Sequence, residues 1–448
     1  MNAANSLAAI GNMKKTALAA SASASPYLNK LLAGQSQQMQ GSQAWLNTLR
    51  AAALERVGVL TIPTVREEEW RFTDISLLTK MSFQPLSATV NLLATDIQHW
   101  HIAEANTRLV FVDGIFSPHL SHIEIASGIR ISNLAAGEEK ETAEFLGRHA
   151  EFDNNIFTAL NTAFLTDGAL IVVPRGVATK APIHLLFIAT QKDVISYPRC
   201  LLLAESGSDV TVIEDYVALQ DEAYFTNAVT EIVLGDNARV NHIRVQREGA
   251  QGFHIAHCAV SAARASNYQS VSVALGARIS RYNLNVALAE GAECAVDGTA
   301  IISERQLADT HTCIDHTQPH GVSRQLHKCI VGDSAQAVFN GKIKVRAGAQ
   351  RTDSQQASHT LLLSGRAQIN TKPQLEIFAD DVKCTHGATV GQLDPEEVFY
   401  LRSRGLSDVD ARKLLTYAFG AEIIDRIPIA SLKQRLEQTV LQQTASRQ

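Results

Sequence analysis

Glu231-Ile-Val-Leu-Gly-Asp-Asn-Ala-Arg-Val-Asn-His-Ile-Arg-Val245 reads as a strand, a turn and a second strand, and its pattern sets the fold class. Two runs of branched aliphatic residues flank Gly235-Asp-Asn-Ala238, a small-residue turn. The same texture extends both ways. Upstream lie Arg108–Val112, Ala169–Val173, Ile183–Ile188 and Ser208–Ile213; downstream lie Ala337–Phe339 and Lys342–Val345. Glu205-Ser-Gly-Ser208, Gly276-Ala-Arg278, Glu290-Gly-Ala-Glu293, Gly332-Asp-Ser-Ala335 and Gly348-Ala-Gln350 punctuate the series. Strand starts recur roughly every 20 to 25 residues, inside the range of solenoid repeats. Many short strands with no long helices between them exclude a doubly wound α/β fold. The series is mainly β and favours a parallel β-helix, in which each coil buries an inward row against its neighbours. A β-sandwich also explains the strands but fits so long an unbroken series less well.

Helical spacing flanks this zone. Trp45, Leu46, Leu49, Ala53 and Leu54 form one apolar stripe, and the pattern breaks at Pro63. Glu67-Glu-Glu-Trp-Arg-Phe-Thr-Asp74 then reads as a packed helix or turn. Beyond the strands, Asp394-Pro395-Glu396-Glu397 combines an N-cap, a proline at the first helical position and acids in the first turn. Ser407-Asp408 offers another cap, followed by a stripe of Ala411, Leu414, Leu415 and Ala418, and Ile429 to Leu441 is amphipathic. The expected organisation is a flexible leader over 1–42, an N-terminal helical region over 43–106, a parallel β-helix over 107–378 and a C-terminal helical region over 379–448.

Composition narrows the function. The 448 residues are 46% hydrophobic and 19% charged, which is globular rather than disordered. The net charge of −5 leaves no basic excess for nucleic acid, and no run of about 18 apolar residues offers a membrane span. The six cysteines, Cys200, Cys258, Cys294, Cys313, Cys329 and Cys384, have no CxxC spacing and are too sparse for a disulfide framework. They indicate a reducing compartment, the cytoplasm, with the plastid stroma as the alternative if the acid-free stretch from Met1 to Leu54 contains a transit peptide. No GxxxxGK[ST], GxSxG or HExxH occurs, so no nucleotide is expected to bind this chain.

Lys383-Cys384-Thr385-His386-Gly387 is the strongest local candidate. In an extended segment residues i and i+2 share a face, about 6.5–7 Å apart. Cys384 and His386 then offer a thiolate and an imidazole together, a donor pair suited to iron–sulfur chemistry. Two donors do not complete a site; a buried cysteine beside a hydrogen-bonded histidine is the simpler reading. Lys383 is positioned to lower the thiol pKa. His311-Thr-Cys313-Ile-Asp315 puts three donors on one strand face, as a metal site or, in the favoured reading, a polar ladder inside a coil. His316, His320, His327, Cys329 and His359 share that ambiguity. Cys200, Cys258 and Cys294 read as packing residues.

At this point the chain resembles the SufB/SufD family of iron–sulfur cluster assembly proteins. The resemblance rests on Asp315-His-Thr-Gln-Pro-His320, Ser323-Arg-Gln-Leu-His-Lys328, Val338-Phe-Asn-Gly-Lys-Ile343, Gly348-Ala-Gln-Arg-Thr-Asp353 and Thr371-Lys-Pro-Gln-Leu-Glu-Ile377. It continues through Ala379–Gly391 and Phe399-Tyr-Leu-Arg-Ser-Arg-Gly405. It is dense from Ala308 to Phe419, extends weakly back to Trp70, and does not cover the first 40 or so residues. The Cys-Thr-His-Gly-Ala-Thr-Val-Gly form resembles the SufD-like side of the family. The resemblance implies a right-handed parallel β-helix and a non-enzymatic scaffold subunit that forms a heterodimer with a SufB-like chain. It also implies a SufC-type ABC ATPase bound to the C-terminal helices between Asp394 and Arg426. Cys384, Thr385, His386 and Gly387 would then lie at the partner interface. His386 would ligate a nascent iron–sulfur cluster shared with that partner, with Cys384 beside it. Tyr400, Leu401, Arg404, Gly405 and Leu414 would carry the ATPase docking.

Two other functions fit the residues. One is a purely structural partner that recruits the ATPase and ligates nothing. The other is a β-helix polysaccharide lyase or hydrolase, which an aromatic content of 6% disfavours.

Overall fold

The structure, a computed structural model, describes residues 26–35, 43–86, 90–124, 128–137 and 139–445. Two ten-stranded sheets face each other, and from Asp209 onward the chain passes from one to the other at every strand. One sheet runs through Asp209–Ala218, Arg239–Arg247, Asn267–Ala274, Glu293–Ile302, Val322–Val331, Asp353–Leu362 and Lys383–Gly391. The facing sheet runs through Phe225–Leu234, Phe253–Ala262, Ile279–Leu288, Leu307–His316, Gln336–Val345 and Gln368–Ile377. All these neighbours pair in parallel, which makes the expected β-helix. Each coil contributes two strands, so strands begin more often than the sequence spacing suggested. The true repeat is the coil, 26 to 32 residues between register partners.

The coil corners explain the turn composition. The residue two before each of six successive strands of the first sheet has positive φ: Gly207, Asn237, Ala265, Gly291, His320 and Arg351. Their N–H groups donate to the next coil's carbonyls, Gly207 to Asp236, Asn237 to Arg264 and Arg351 to Asp381. A left-handed corner costs a non-glycine residue about 1–2 kcal/mol, which the stacked hydrogen bond offsets.

Alternate residues point inward. At the N-terminal end the interior is apolar, with Phe111 stacked on Phe187 at 5.1 Å and Phe187 on Tyr216 at 4.8 Å. Towards the C-terminal end it becomes polar, with Ser323, Gln325, His327, Ser354, Gln356 and Thr360 buried.

Helices cover the outside. Ala44–Val59 and Ile156–Ala163 pack against the second sheet. Pro26–Gln35 is also helical and buries Leu28, Leu31 and Leu32, so this part of the expected flexible leader is folded; 1–25 and 36–42 lie outside the described residues. Its apolar spacing closes a hydrophobic cluster with Leu54 and Phe83. At the C-terminal side Asp408–Ile424 and Ala430–Ala445 lie on the first sheet's outer face, where Ile423, Leu432 and Leu436 meet Ile243, Val273 and Ile330. Gly420 permits the approach, since a Cβ there would stand 3.1 Å from Ile330 Cδ1. The expected start of the C-terminal helical region at 379 moves to Pro395, because the segment before it is the β-helix's final strand. The expected stripe also divides: Ala411 is buried, whereas Leu414 and Ala418 face outward.

Arg199 and Glu231 tie the N-terminal helices to the second sheet as a fully buried ion pair. Glu231 also accepts from the N–H groups of Gly147 at 2.8 Å, His149 at 2.9 Å and Ala150 at 3.1 Å. Burial pushes its carboxyl pKa up, but Arg199 and the three N–H groups outweigh this and hold it below the ordinary value. Arg199→Met strands that carboxylate, so the chain is expected to lose about 3–5 kcal/mol of stability. Urea unfolding should give a lower midpoint at an unchanged slope, and an unchanged midpoint would contradict the role of the pair.

Candidate functional site

The two ends of the β-helix differ. At the N-terminal end antiparallel strands turn back on the sheets: Ile115–Phe116 against Thr107–Val112, and Arg130–Asn133 against Ala169–Val173. At the C-terminal end Gln368–Ile377 and Lys383–Gly391 are the last strands of their sheets, and within the described chain nothing pairs with their outer edges. Exposed apolar side chains mark this rim, Phe378 at 62% and Val390 at 50%. Open edges beside apolar side chains are a ready surface for another chain.

Cys384 and His386 stand on this last coil. Their register partners, Ser354 and Gln356, are buried interior residues, so both side chains occupy inward-facing positions of the solenoid. No further coil covers them. Cys384 is half-buried and packs on the edge of the main core, while His386 is exposed with Thr385 and Gly387. The facing geometry expected from the spacing is present. The expected effect of Lys383 is not: burial pushes the Cys384 thiol above its ordinary value, and Asp353 adds to the rise. Lys383 sits one residue away, hence on the opposite face of the strand. In this chain alone Cys384 is therefore a thiol at neutral pH, and a metal or a cationic partner would have to displace its proton.

The second donor set has a different role. His311, Cys313 and Asp315 share a face, but it is the outer one; Thr312, Ile314 and His316 fill the interior. The polar-ladder reading holds in kind but lies outside the coil rather than within it. His311 sits between Asp309, at 3.0 Å, and Glu69, at 3.2 Å. Asp309 also takes Arg281 and the Thr73 hydroxyl, each at 2.5 Å, and Arg281 covers the ring of Trp70 at 3.9 Å. Together they clasp Glu67–Thr73 to the β-helix. Asp315 pairs with Arg346 at 2.7 Å. His327 stacks on Phe339 at 4.5 Å, His316 bonds Ser323 at 2.9 Å, and His359 bonds Thr389 at 2.6 Å. Cys200, Cys258, Cys294 and Cys329 are buried packing residues.

The C-terminal helices expose the other candidates. Phe399 is 71% and Tyr400 57% exposed, and Leu414, Arg404 and Gly405 are also at the surface; Leu401 is half-buried. Phe399 was missed as a site residue, although its place in the Pro395–Ser403 helix leaves its ring fully outside the core. No helix among the described residues is long and apolar enough to cross a membrane.

Two measurements follow from these environments. Native-state alkylation read by mass spectrometry should modify Cys384 and Cys313 alone, faster as pH rises, and reach the four buried cysteines only on unfolding. Early modification of Cys258 or Cys294 would contradict the packing. For the clasp, burial pulls the His311 pKa down, but Asp309 and Glu69 outweigh this and raise it above 6.5. Its contribution is therefore complete below 6.5 and lost as pH rises through the raised value. Hydrogen exchange over 67–73, corrected for intrinsic rates, should accelerate across that window, and His311→Gln should abolish the change.

Comparison with known proteins matches residues 22–185 to the SufBD protein N-terminal region and residues 187–419 to the SUF system FeS cluster assembly SufBD core domain. An iron–sulfur cluster assembly SufBD family protein of Synechocystis sp. is 44% identical over 407 residues, 87% of this chain and 89% of its own. The iron–sulfur cluster assembly protein SufD of Escherichia coli is 34% identical over 381 residues, 84% and 88% of the two chains. The chloroplastic protein ABCI7 of Arabidopsis thaliana is 32% identical over 413 residues, 87% and 84% of the two chains.

Proposed function

Because this chain belongs to the SufBD family of iron–sulfur cluster assembly proteins, we propose that it is the SufD-type scaffold subunit of a SufBCD complex. The observation that carries this reading is the uncovered last coil, with Cys384 and His386 inward-facing at an end where two strand edges lie open. A SufB-like chain with a similar end would pair with those edges, satisfy their backbone groups and bury Phe378 and Val390. Pairing would also bring the partner's donors over Cys384 and His386, supplying what the two lack.

The nascent cluster is cargo on this scaffold. The imidazole of His386 offers a lone pair to iron; the thiol of Cys384 must first give up its proton, which metal binding or a cation of the partner favours. Thr385 and Gly387 line the same strand and contribute backbone to the interface. Nucleotide binding belongs to a SufC-type ATPase docked on Tyr400, Leu401, Arg404, Gly405 and Leu414, with Phe399 added to that surface. The chain itself performs no catalysis in this scheme. Its unpaired cysteines suit a reducing compartment, the cytoplasm before the plastid stroma.

Anaerobic reconstitution with a SufB-like chain and a SufC-type ATPase tests the ligand role. The His386→Ala complex is expected to assemble with unchanged stoichiometry by size-exclusion chromatography. Its cluster yield, followed by ultraviolet–visible absorption, should fall about tenfold or more. Cluster formation at the normal rate would overturn the ligand assignment. A normal rate in both His386→Ala and Cys384→Ser complexes would leave the purely structural partner as the reading.

A further inference from the structure

Beneath His386 the interior carries a column of side chains that runs along the β-helix axis. Gln325 and Gln356 stand on successive rungs of this column, Thr312 faces Gln325 from the opposite sheet, and all three are buried. Gln325 Nε2 donates to Thr312 Oγ1 at 2.9 Å, and Gln356 Nε2 donates to Gln325 Oε1 at 2.9 Å. Gln325 thus gives its N–H across the interior and its carbonyl to the rung after it, and Gln356 gives its N–H to the rung before it and leaves its carbonyl for the rung after. Gln325 Oε1 is used in this way. Gln356 Oε1 is buried and has no partner, although Gln356 is only 3% exposed. A buried amide oxygen left unpaired costs about 1–3 kcal/mol, so such an atom calls for a donor.

The step after Gln356 is His386, its direct register partner on the same inward face. Adjacent rungs lie about 4.8 Å apart, so a glutamine carbonyl and an imidazole N–H on neighbouring rungs are within reach through side-chain rotation. Among the described residues His386 has no side-chain hydrogen bond of its own. One further residue keeps the column in place. A Cβ at Gly341, on the facing strand, would stand 1.5 Å from Gln356 Nε2, so only glycine leaves the room that the amide occupies.

We propose that Gln356 is a positioning residue for His386: its Oε1 accepts one imidazole N–H and so turns the other ring nitrogen, with its lone pair, towards the open end of the β-helix. This rests on the ligand reading of His386 given above and adds what fixes the ring. A neutral imidazole has one N–H and one lone pair, and a hydrogen bond to the first decides which nitrogen carries the second. Gln325, oriented by Thr312 across the interior, sets which end of the Gln356 amide faces His386.

Gln356→Met and Gln356→Glu separate this role from packing. Methionine keeps the length without the acceptor and creates no orphan at Gln325 Oε1, which still accepts from Thr312 at 3.2 Å. Glutamate keeps an acceptor. The full chain, labelled with nitrogen-15 histidine, is examined by NMR with the His386 signals assigned by difference against His386→Ala. The neutral ring should show one tautomer in the wild type and in Gln356→Glu, and averaged nitrogen shifts in Gln356→Met. In the reconstituted complex Gln356→Met should lower the rate of cluster formation about tenfold, with Gln356→Glu close to wild type. Unchanged ring shifts in Gln356→Met, or a full rate beside a crippled His386→Ala, overturns this inference alone. A full rate in His386→Ala overturns the ligand reading and this positioning role with it.

Discussion

Parallel stacking of coils is the constraint on which the rest depends. Each rung gives its N–H and C=O groups to the rungs on either side, from Asp209 through Arg239, Asn267, Glu293, Val322 and Asp353 to Lys383. Such a ladder is satisfied everywhere but at its ends. Among the described residues antiparallel strands close one end and nothing pairs at the other. The open end is also where the inward face, protected in every earlier coil, becomes accessible. A side chain at an inward position there is held by rigid backbone and still faces outside. That combination suits a half-site better than a loop would, because both donors keep a fixed separation set by the strand.

The interior reflects the same division of labour. Apolar and aromatic columns fill the coils near the closed end, where the helical layers add further burial. Approaching the open end, the columns turn to serines, threonines and glutamines, several of them bonded along the axis, as in Ser323 with Ser354 at 2.7 Å and Gln325 with Gln356. Hydrogen bonds along the axis are specific in register, since a slip by one residue would send every donor to the other face. Apolar packing alone would hold the last coils less exactly in line. Ionic groups occur both inside and outside: Glu214 with His242, and Arg244 over the Tyr216 and Tyr282 rings, lie within the middle coils, whereas Arg199 pairs with Glu231 under the N-terminal helices and the His311 clasp is on the outer face.

Much of this was legible in the sequence because strand periodicity reports which residues share a face. Cys384 with His386, and His311 with Cys313 and Asp315, were grouped correctly for that reason. Periodicity does not say which face is inside, and the His311 set went to the outer one. Adjacency along the chain misled in the same way: Lys383 precedes Cys384 and yet lies across the strand from it. The coil repeat was read too short because each coil contributes two strands, so strand starts recur at about half the coil length. Pro26–Gln35 lacked a strong helical signature of its own; its apolar residues are ordered by the cluster that they complete. Gln356 and Gly341 were beyond sequence reading altogether. Their relation to His386 needs the exact coil length and the facing strand's register.

The last coil is also tied to the C-terminal helices, and this bears on how a chain docked there, as proposed above, would act on Cys384 and His386. Lys328, on the outer face of the first sheet, donates to the Phe419 carbonyl at 3.0 Å, lies over its ring at 4.4 Å and pairs with Glu422 at 2.5 Å. One rung on, its register partner His359 bonds Thr389 in the terminal strand. The path from the helix Asp408–Ile424 to the strand that carries Cys384 and His386 is thus two rungs long and lies on one sheet face. A force applied to the helix acts on the outer side chains of that strand, while the donors occupy its inner side. Shear between rungs would leave the separation of Cys384 and His386 unchanged and alter their relation to Gln356 and to any chain paired with the open edge. A scaffold driven from its helices is therefore expected to change the company that its two donors keep, and not the distance between them.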